Sequence, residues 1–354
     1  MSTHPYRDLP PTAFWRHAVA GVAPEEIDPV TTTPFRIKQA DRVASAGSCF
    51  AQHIARHLRG AGFDFLVTET AHPIAPPALA APYGYGLYTA RYGNIYTSRQ
   101  LLQLFRRAFA SFVPADGAWQ EPDGRWTDPF RPQIQPERFV SRAELEADRA
   151  HHLGCVRRAF ETLDVFVFTL GLTEYWHARE DGAAYPLCPG VAGGAFDPAR
   201  HAFANLSAAE VTADLLAFID ALRAVNPGAR VILTVSPVPL VATAAGGHAL
   251  TATTYSKAVL RVAADEVSRQ RDGVAYFPAF EIITGTATRG SYFADDLRSV
   301  TEAGVAHVMR IFLRHFTEGA SAALPAPEAA DTHVAAMKAL VEVVCDEEAL
   351  DRAD

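Results

Sequence analysis

The chain has 354 residues, 49% hydrophobic and 20% charged, enough apolar material for one large domain or two ordinary ones; disorder is excluded as its dominant state. Its 32 lysines and arginines face 40 aspartates and glutamates, a formal net charge of -8, so no basic surface for phosphate backbones is expected and nucleic acid is not an expected partner. The cysteines, Cys49, Cys155, Cys188 and Cys345, form no C-x-x-C pair, which argues against a disulfide framework or zinc knuckle and for a reducing compartment.

Residues 1–32 read as an N-terminal extension whose start, MSTHPYRDLPP, lacks the basic head and apolar stretch of a secretory signal. No run of about 18 apolar residues occurs, so the expectation is a soluble, cytoplasmic protein with no membrane span. Arg42 to Gly47 (RVASAG) predicts a strand, Ser48-Cys49 a tight turn, and Phe50 to Leu58 a helix, from the spacing of its apolar residues. Asp64 to Thr68 (DFLVT) predicts a second strand, one crossover helix from the first, as in a parallel sheet. From Val113 to Pro136 no period holds; Trp119 and Trp126 suggest an ordered insertion with aromatic anchors, placed near 113–150 and suited to act as a lid. Asp164 to Leu170, Arg230 to Val235 and Val274 to Phe277 are short and continuously apolar, as strands covered on both faces are. Between and beside them lie helical patterns at Ala208 to Val225, closed by Asn226-Pro227-Gly228, and at Tyr255 to Arg269. A last helix is expected at His333 to Val344, within a C-terminal extension spanning 319–354. The fold class expected for 33–318 is α/β: a three-layer α/β/α sandwich around a five-stranded, mainly parallel sheet.

In such a sheet the ligand crevice lies outside the carboxyl ends of the strands, where Gly47-Ser48-Cys49-Phe50 falls. A hydroxyl there sits beside the free amides and positive end of a helix, which can stabilise the oxyanion formed when Ser48 attacks a carbonyl. Gly47 permits the turn. Two other readings stand beside this one: Ser48 as a plain helix N-cap, and Cys49 as nucleophile or small core residue.

The block Gly47-Ser48-Cys49-Phe50-Ala51 resembles the signature of GSCFA-domain proteins, which are similar to SGNH, or GDSL-like, hydrolases. Further blocks carry the resemblance: Tyr92-Gly93-Asn94-Ile95-Tyr96-Thr97, Gly171-Leu172-Thr173-Glu174-Tyr175-Trp176, Ser236-Pro237-Val238-Pro239, Tyr255-Ser256-Lys257 and Phe277 to Ile282, so that it spans roughly Thr33 to Phe316. It implies a flavodoxin-like α/β/α fold and a serine site that cleaves esters or transfers acyl groups, with Ser48 as nucleophile. It also implies an oxyanion hole to which Gly93 and Asn94 contribute. The third-strand motif, G-x-N-D in SGNH proteins, appears here as Gly171 to Glu174, so its asparagine is missing; Glu174 is left to orient another polar group, and Trp176 to wall the pocket or fill core. The implied substrate is a small acylated compound or carbohydrate, and no cofactor is called for.

The expected Asp-x-x-His appears as Asp295-Asp296-Leu297-Arg298. Asp295 fits, but the Arg298 guanidinium stays protonated and cannot take a serine proton. Arg298 either holds an anionic or glycan ligand, as in a non-catalytic binding protein, or forms a structural ion pair. His248, in the Gly246-Gly247 loop after the fourth strand, is the substitute base, with His177 behind it. His307 falls opposite the apolar face of its helix and is expected in solvent. His53 and His57 have zinc-binding i, i+4 spacing, but without a third ligand they read as ordinary helix residues.

Overall fold

The computed structural model describes residues 4–319 and Leu350; the helix expected at 333–344 lies outside the described residues. The elements run β1 (Val43–Gly47), α1 (Ala51–Gly60), α2 (Pro77–Ala80), α3 (Ser98–Ala108), β2 (Trp119–Gln120), β3 (Trp126–Thr127), α4 (Arg142–Thr162) and β4 (Val165–Leu170). They continue through β5 (Glu174–Ala178), β6 (Ala184–Tyr185), β7 (His201–Asn205), α5 (Ala208–Val225), β8 (Arg230–Val235), α6 (Ala249–Gln270), β9 (Val274–Phe277), α7 (Ala279–Thr284) and α8 (Glu302–Phe316).

The central sheet has four parallel strands in the order β1-β4-β8-β9. Alternate residues serve opposite faces, as the strand period of two requires. Ala44, Phe166, Phe168, Val231 and Leu233 enter one apolar core with residues of α3, α4, α5 and α6. Val43, Val165, Val167, Ile232 and Phe277 enter another with α1, α7 and α8. Helices thus cover both faces, which is why these strands are apolar throughout.

A fifth strand does not form at 64–68. Phe65 makes a single parallel bridge to Val43, and the chain then leaves to bond Thr89, with Thr68 N–H donating to its carbonyl at 2.8 Å. The Thr89 hydroxyl accepts the Ser45 N–H at 3.1 Å, so the edge of β1 is satisfied by a side chain where a strand was expected. The insertion near 113–150 contains the β2–β3 hairpin and the start of α4. A second sheet, β6-β5-β7, follows β4, antiparallel throughout. Among the described residues no helix is long and apolar enough to cross a membrane.

Candidate functional site

β1 delivers Ser48 to the carboxyl edge of the sheet through Gly47, whose φ is +147° and whose position would bring a Cβ to 2.5 Å from the Thr169 carbonyl oxygen. Only glycine allows that approach. The Ser48 amide donates to Thr169 O at 3.2 Å, and its carbonyl accepts the Ala51 N–H at 2.9 Å. Its Oγ is buried and has no hydrogen-bond partner among the described residues. Ser48 is therefore not the helix cap: the cap position of α1 falls to Phe50, and no side chain caps it. Burying a hydroxyl without a partner costs about 1–3 kcal/mol, a penalty shared here by the strand hydroxyls of Ser45, Thr169 and Thr234. Cys49, the rival nucleophile, is buried in the same turn.

Gly171, just past β4, lies against this serine. A Cβ there would meet Ser48 Cβ at 3.0 Å and Tyr96 Cδ1 at 3.2 Å, and its own N–H is committed to the Tyr96 carbonyl at 2.9 Å. From the other side, Lys257 Nζ donates to the Gly171 carbonyl at 2.7 Å, with the lysine only 1% exposed. The preceding residue, Ser256, accepts the Thr173 N–H on its Oγ at 3.1 Å. Sequence reasoning marked this pair only as part of a matching block. The signal was there: Lys257 shares the i, i+3, i+7 stripe of α6 with Leu260 and Ala264, an apolar stripe where a lysine stands out.

Gly93 and Asn94 line a cavity of about 150 Å³ with Gln52, Tyr88, Tyr92 and Phe130. Tyr88 links this cavity to the serine. Its hydroxyl accepts from Gln52 Nε2 at 3.1 Å and donates to Asn94 Oδ1, with the Ser48 carbonyl 3.4 Å away.

The remaining expected site residues serve other contacts. Glu174 accepts the Thr243 hydroxyl at 2.6 Å and the Ala244 N–H at 3.1 Å, fixing the loop after β8. Trp176 packs edge-on against Phe196 and Phe203, with centroids at 5.1 and 5.6 Å. His248 is exposed at the N-cap of α6, where its Nδ1 accepts the Leu250 N–H at 3.1 Å. His177 Nδ1 bonds the Ala178 carbonyl at 2.9 Å. Asp295 is exposed, and Arg298 Nε donates to the Pro239 carbonyl at 3.2 Å, tying its loop to the end of β8. No imidazole hydrogen-bonds Ser48 Oγ among the described residues. Ser48, Gly171 and Lys257 thus come together, with Gly93 and Asn94 one tyrosine away.

His307 is buried, contrary to expectation: it bonds the Tyr292 hydroxyl at 2.8 Å and, through Nε2, the Ile27 carbonyl at 3.0 Å. The N-terminal extension covers the side of α8 that a helical wheel assigns to water. His57 Nδ1 donates to the His53 carbonyl at 2.8 Å, and burial lowers His53 to a pKa of about 3. No group of three or more metal-ligating side chains occurs among the described residues.

The fold and site define an α/β protein with an unpartnered serine hydroxyl at the carboxyl end of its first strand. The chain belongs to the GSCFA family, whose model matches residues 42–312. No curated protein and no solved structure matches it.

Proposed function

We propose that this protein is a serine acyl hydrolase or O-acyltransferase of SGNH-like, flavodoxin-like type, acting on a small acylated or carbohydrate substrate. The observation that carries the reading is the Ser48 hydroxyl, held at the strand edge by a glycine that no other residue can replace, yet neither capping the helix nor bonding anything else among the described residues. In the proposed reaction Ser48 Oγ bonds the acyl carbon and the substrate's alkoxide leaves. The negative charge on the acyl oxygen is met by amides at the start of α1, Gly93 and Asn94. The proton lost by the serine goes to the neutral form of Lys257, once its Nζ swings from the Gly171 carbonyl to Ser48 Oγ, which it does not bond in this structure, and then to the leaving alcohol, the lysine replacing the missing histidine. Tyr88, whose hydroxyl holds Asn94 Oδ1 and lies 3.4 Å from the Ser48 carbonyl, leaves the Asn94 amide nitrogen as the donor for the charge on the acyl oxygen.

Hydrolysis of p-nitrophenyl acetate tests this: Ser48→Ala should lower kcat about 10³-fold or more, and a fluorophosphonate probe should label Ser48. Lys257→Met should lower kcat and remove the acidic limb of the pH profile, the fall in rate as the lysine becomes protonated, with KM little changed. The enclosure of the hydroxyl favours a second reading, a non-catalytic binding protein that recognises an anionic or glycan ligand through Arg298. Equal turnover by the wild type and Ser48→Ala, with ligand stabilisation lost only in Arg298→Ala, selects that reading.

A further inference from the structure

Beyond the serine, a small chamber of about 20 Å³ lies under α3 and α4. That volume holds one water-sized group. Tyr92, Phe130, Arg131 and Pro186 line both this chamber and the larger cavity that carries Gly93 and Asn94, so the two are neighbours across a wall of four side chains.

Two buried polar atoms on residues lining the small chamber have no hydrogen-bond partner among the described residues: Arg107 Nη2 and His152 Nε2. Arg107 is 9% exposed and His152 is 1% exposed. Of their polar neighbours, Gln100 turns its Oε1 to the Tyr96 and Thr97 N–H groups, each at 3.1 Å. Gln103 bonds the Gly182 carbonyl and the Ala184 N–H, each at 2.8 Å, and Arg131 bonds Asp128 and Asp148. The Tyr92 hydroxyl donates to the Ser45 carbonyl.

The roles of the two atoms follow from their surroundings. His152 Nδ1 lies 2.7 Å from Glu69 Oε2, which also takes the Arg91 N–H at 2.7 Å. Although burial alone would raise it, the Glu69 carboxyl is held well below its usual range by the His152 hydrogen bond, the Arg91 amide and the Arg131 charge. An ionised carboxylate only accepts, so Nδ1 carries the proton and Nε2 presents a lone pair. Burial, reinforced by the Arg131 charge, lowers His152 and keeps it neutral at pH 7. Arg107, with its guanidinium 3.8 Å above the Phe130 ring centroid, can only donate. Arg107 and His152 therefore offer one donor and one acceptor. An anion satisfies the arginine and is repelled by the imidazole lone pair, and an ammonium does the reverse. A hydroxyl satisfies both.

We propose that Arg107 and His152 form a hydroxyl-binding subsite that takes a single oxygen, which accepts from Arg107 Nη2 and donates to His152 Nε2. Its two sources are a hydroxyl of a small polyol or glycoside seated in the larger cavity, whose Tyr88, Tyr92 and Phe130 walls suit the apolar faces of such a ligand, and a bound water. The subsite stands whether or not Ser48 reacts.

A crystal structure of the wild-type protein, alone and with glycerol or methyl glucoside, tests it together with calorimetric titration of both compounds. The expected result is one ordered oxygen within hydrogen-bond distance of both atoms. Its replacement by a ligand hydroxyl assigns the ligand as the source, with the dissociation constant rising about tenfold or more in Arg107→Met and recovering in Arg107→Lys. An oxygen that stays in place while neither compound gives a saturating heat assigns bound water as the source. No oxygen density there, or an anion bound to Arg107 with His152 turned away, overturns the proposal. The wild-type structures decide the matter even if Arg107→Met does not fold.

Discussion

On the α1, α7 and α8 side of the central sheet, Phe277 meets Phe312 and Phe316 edge-on at 5.0 and 5.4 Å, in a core that is mainly hydrocarbon with the imidazoles of His53 and His307 buried at its edges. On the other side, beyond the apolar layer of α3 to α6, the chain buries ions. Arg131 bonds Asp128 at 3.0 Å and Asp148 at 2.7 Å, Arg91 bonds Asp148 at 3.0 Å, and Arg149 reaches Asp128 at 3.0 Å. Two cavities, of about 150 and 20 Å³, lie beside this ionic layer, while a wider one of about 550 Å³ opens between α1 and the segment 67–87. Hydrocarbon packs to closure from any direction, whereas guanidinium and carboxylate groups hold one another at fixed distances and leave shaped space between.

Substitutions on the two sides should separate these kinds of closure. The largest effect is expected at Asp128, which compensates several arginines: Asp128→Ala leaves buried cations without their partner and should lower unfolding free energy by about 5 kcal/mol in urea titration. Phe312→Ala, which opens a hole in the hydrocarbon side, should cost about 4 kcal/mol in the same measurement and leave the pH dependence of stability unchanged.

Titration gives a smaller contrast. Burial lowers His152 to about 4 and His53 to about 3, so between pH 6.5 and those values the unfolded chain binds protons that the native protein does not. Stability should fall as pH drops through this window, by about 2 kcal/mol per histidine at pH 5. His152→Phe and His53→Phe should each flatten the curve of Tm against pH. The smallest effect is expected at the rim. Ser207→Ala removes the capping box of α5, where the Ser207 hydroxyl accepts the Glu210 N–H, and should cost about 1 kcal/mol by thermal unfolding.

The same contrast governs what the sequence made legible. The apolar side and the strands it covers read directly: Arg230–Val235 and Val274–Phe277 have the bounds their β-rich runs suggest, and Ala208–Val225 has the bounds set by its cap and its Asn-Pro-Gly stop. Strand β5, Glu174–Ala178, was not legible, because its residues are mixed in polarity and its partner β7 lies beyond a long loop. The run at 64–68 has strand composition, but a threonine hydroxyl from residue 89 took its place, and no local pattern encodes that. At the site, Ser48 and its glycine followed from the strand-turn-helix pattern. Lys257 did not, because its value depends on a contact with Gly171, 86 positions away.

The covering of α8 by the segment before the sheet has a practical side. Glu25 and Asp28 anchor that segment through Arg310, Arg314 and His315, the last at 2.6 Å from Asp28. A recombinant chain trimmed to the family match would begin after this strap, expose the His307 ring to water and unfasten the last helix of the sandwich. Boundaries drawn from sequence similarity alone would cut into a working part of the fold, and expression trials should start upstream of Glu25.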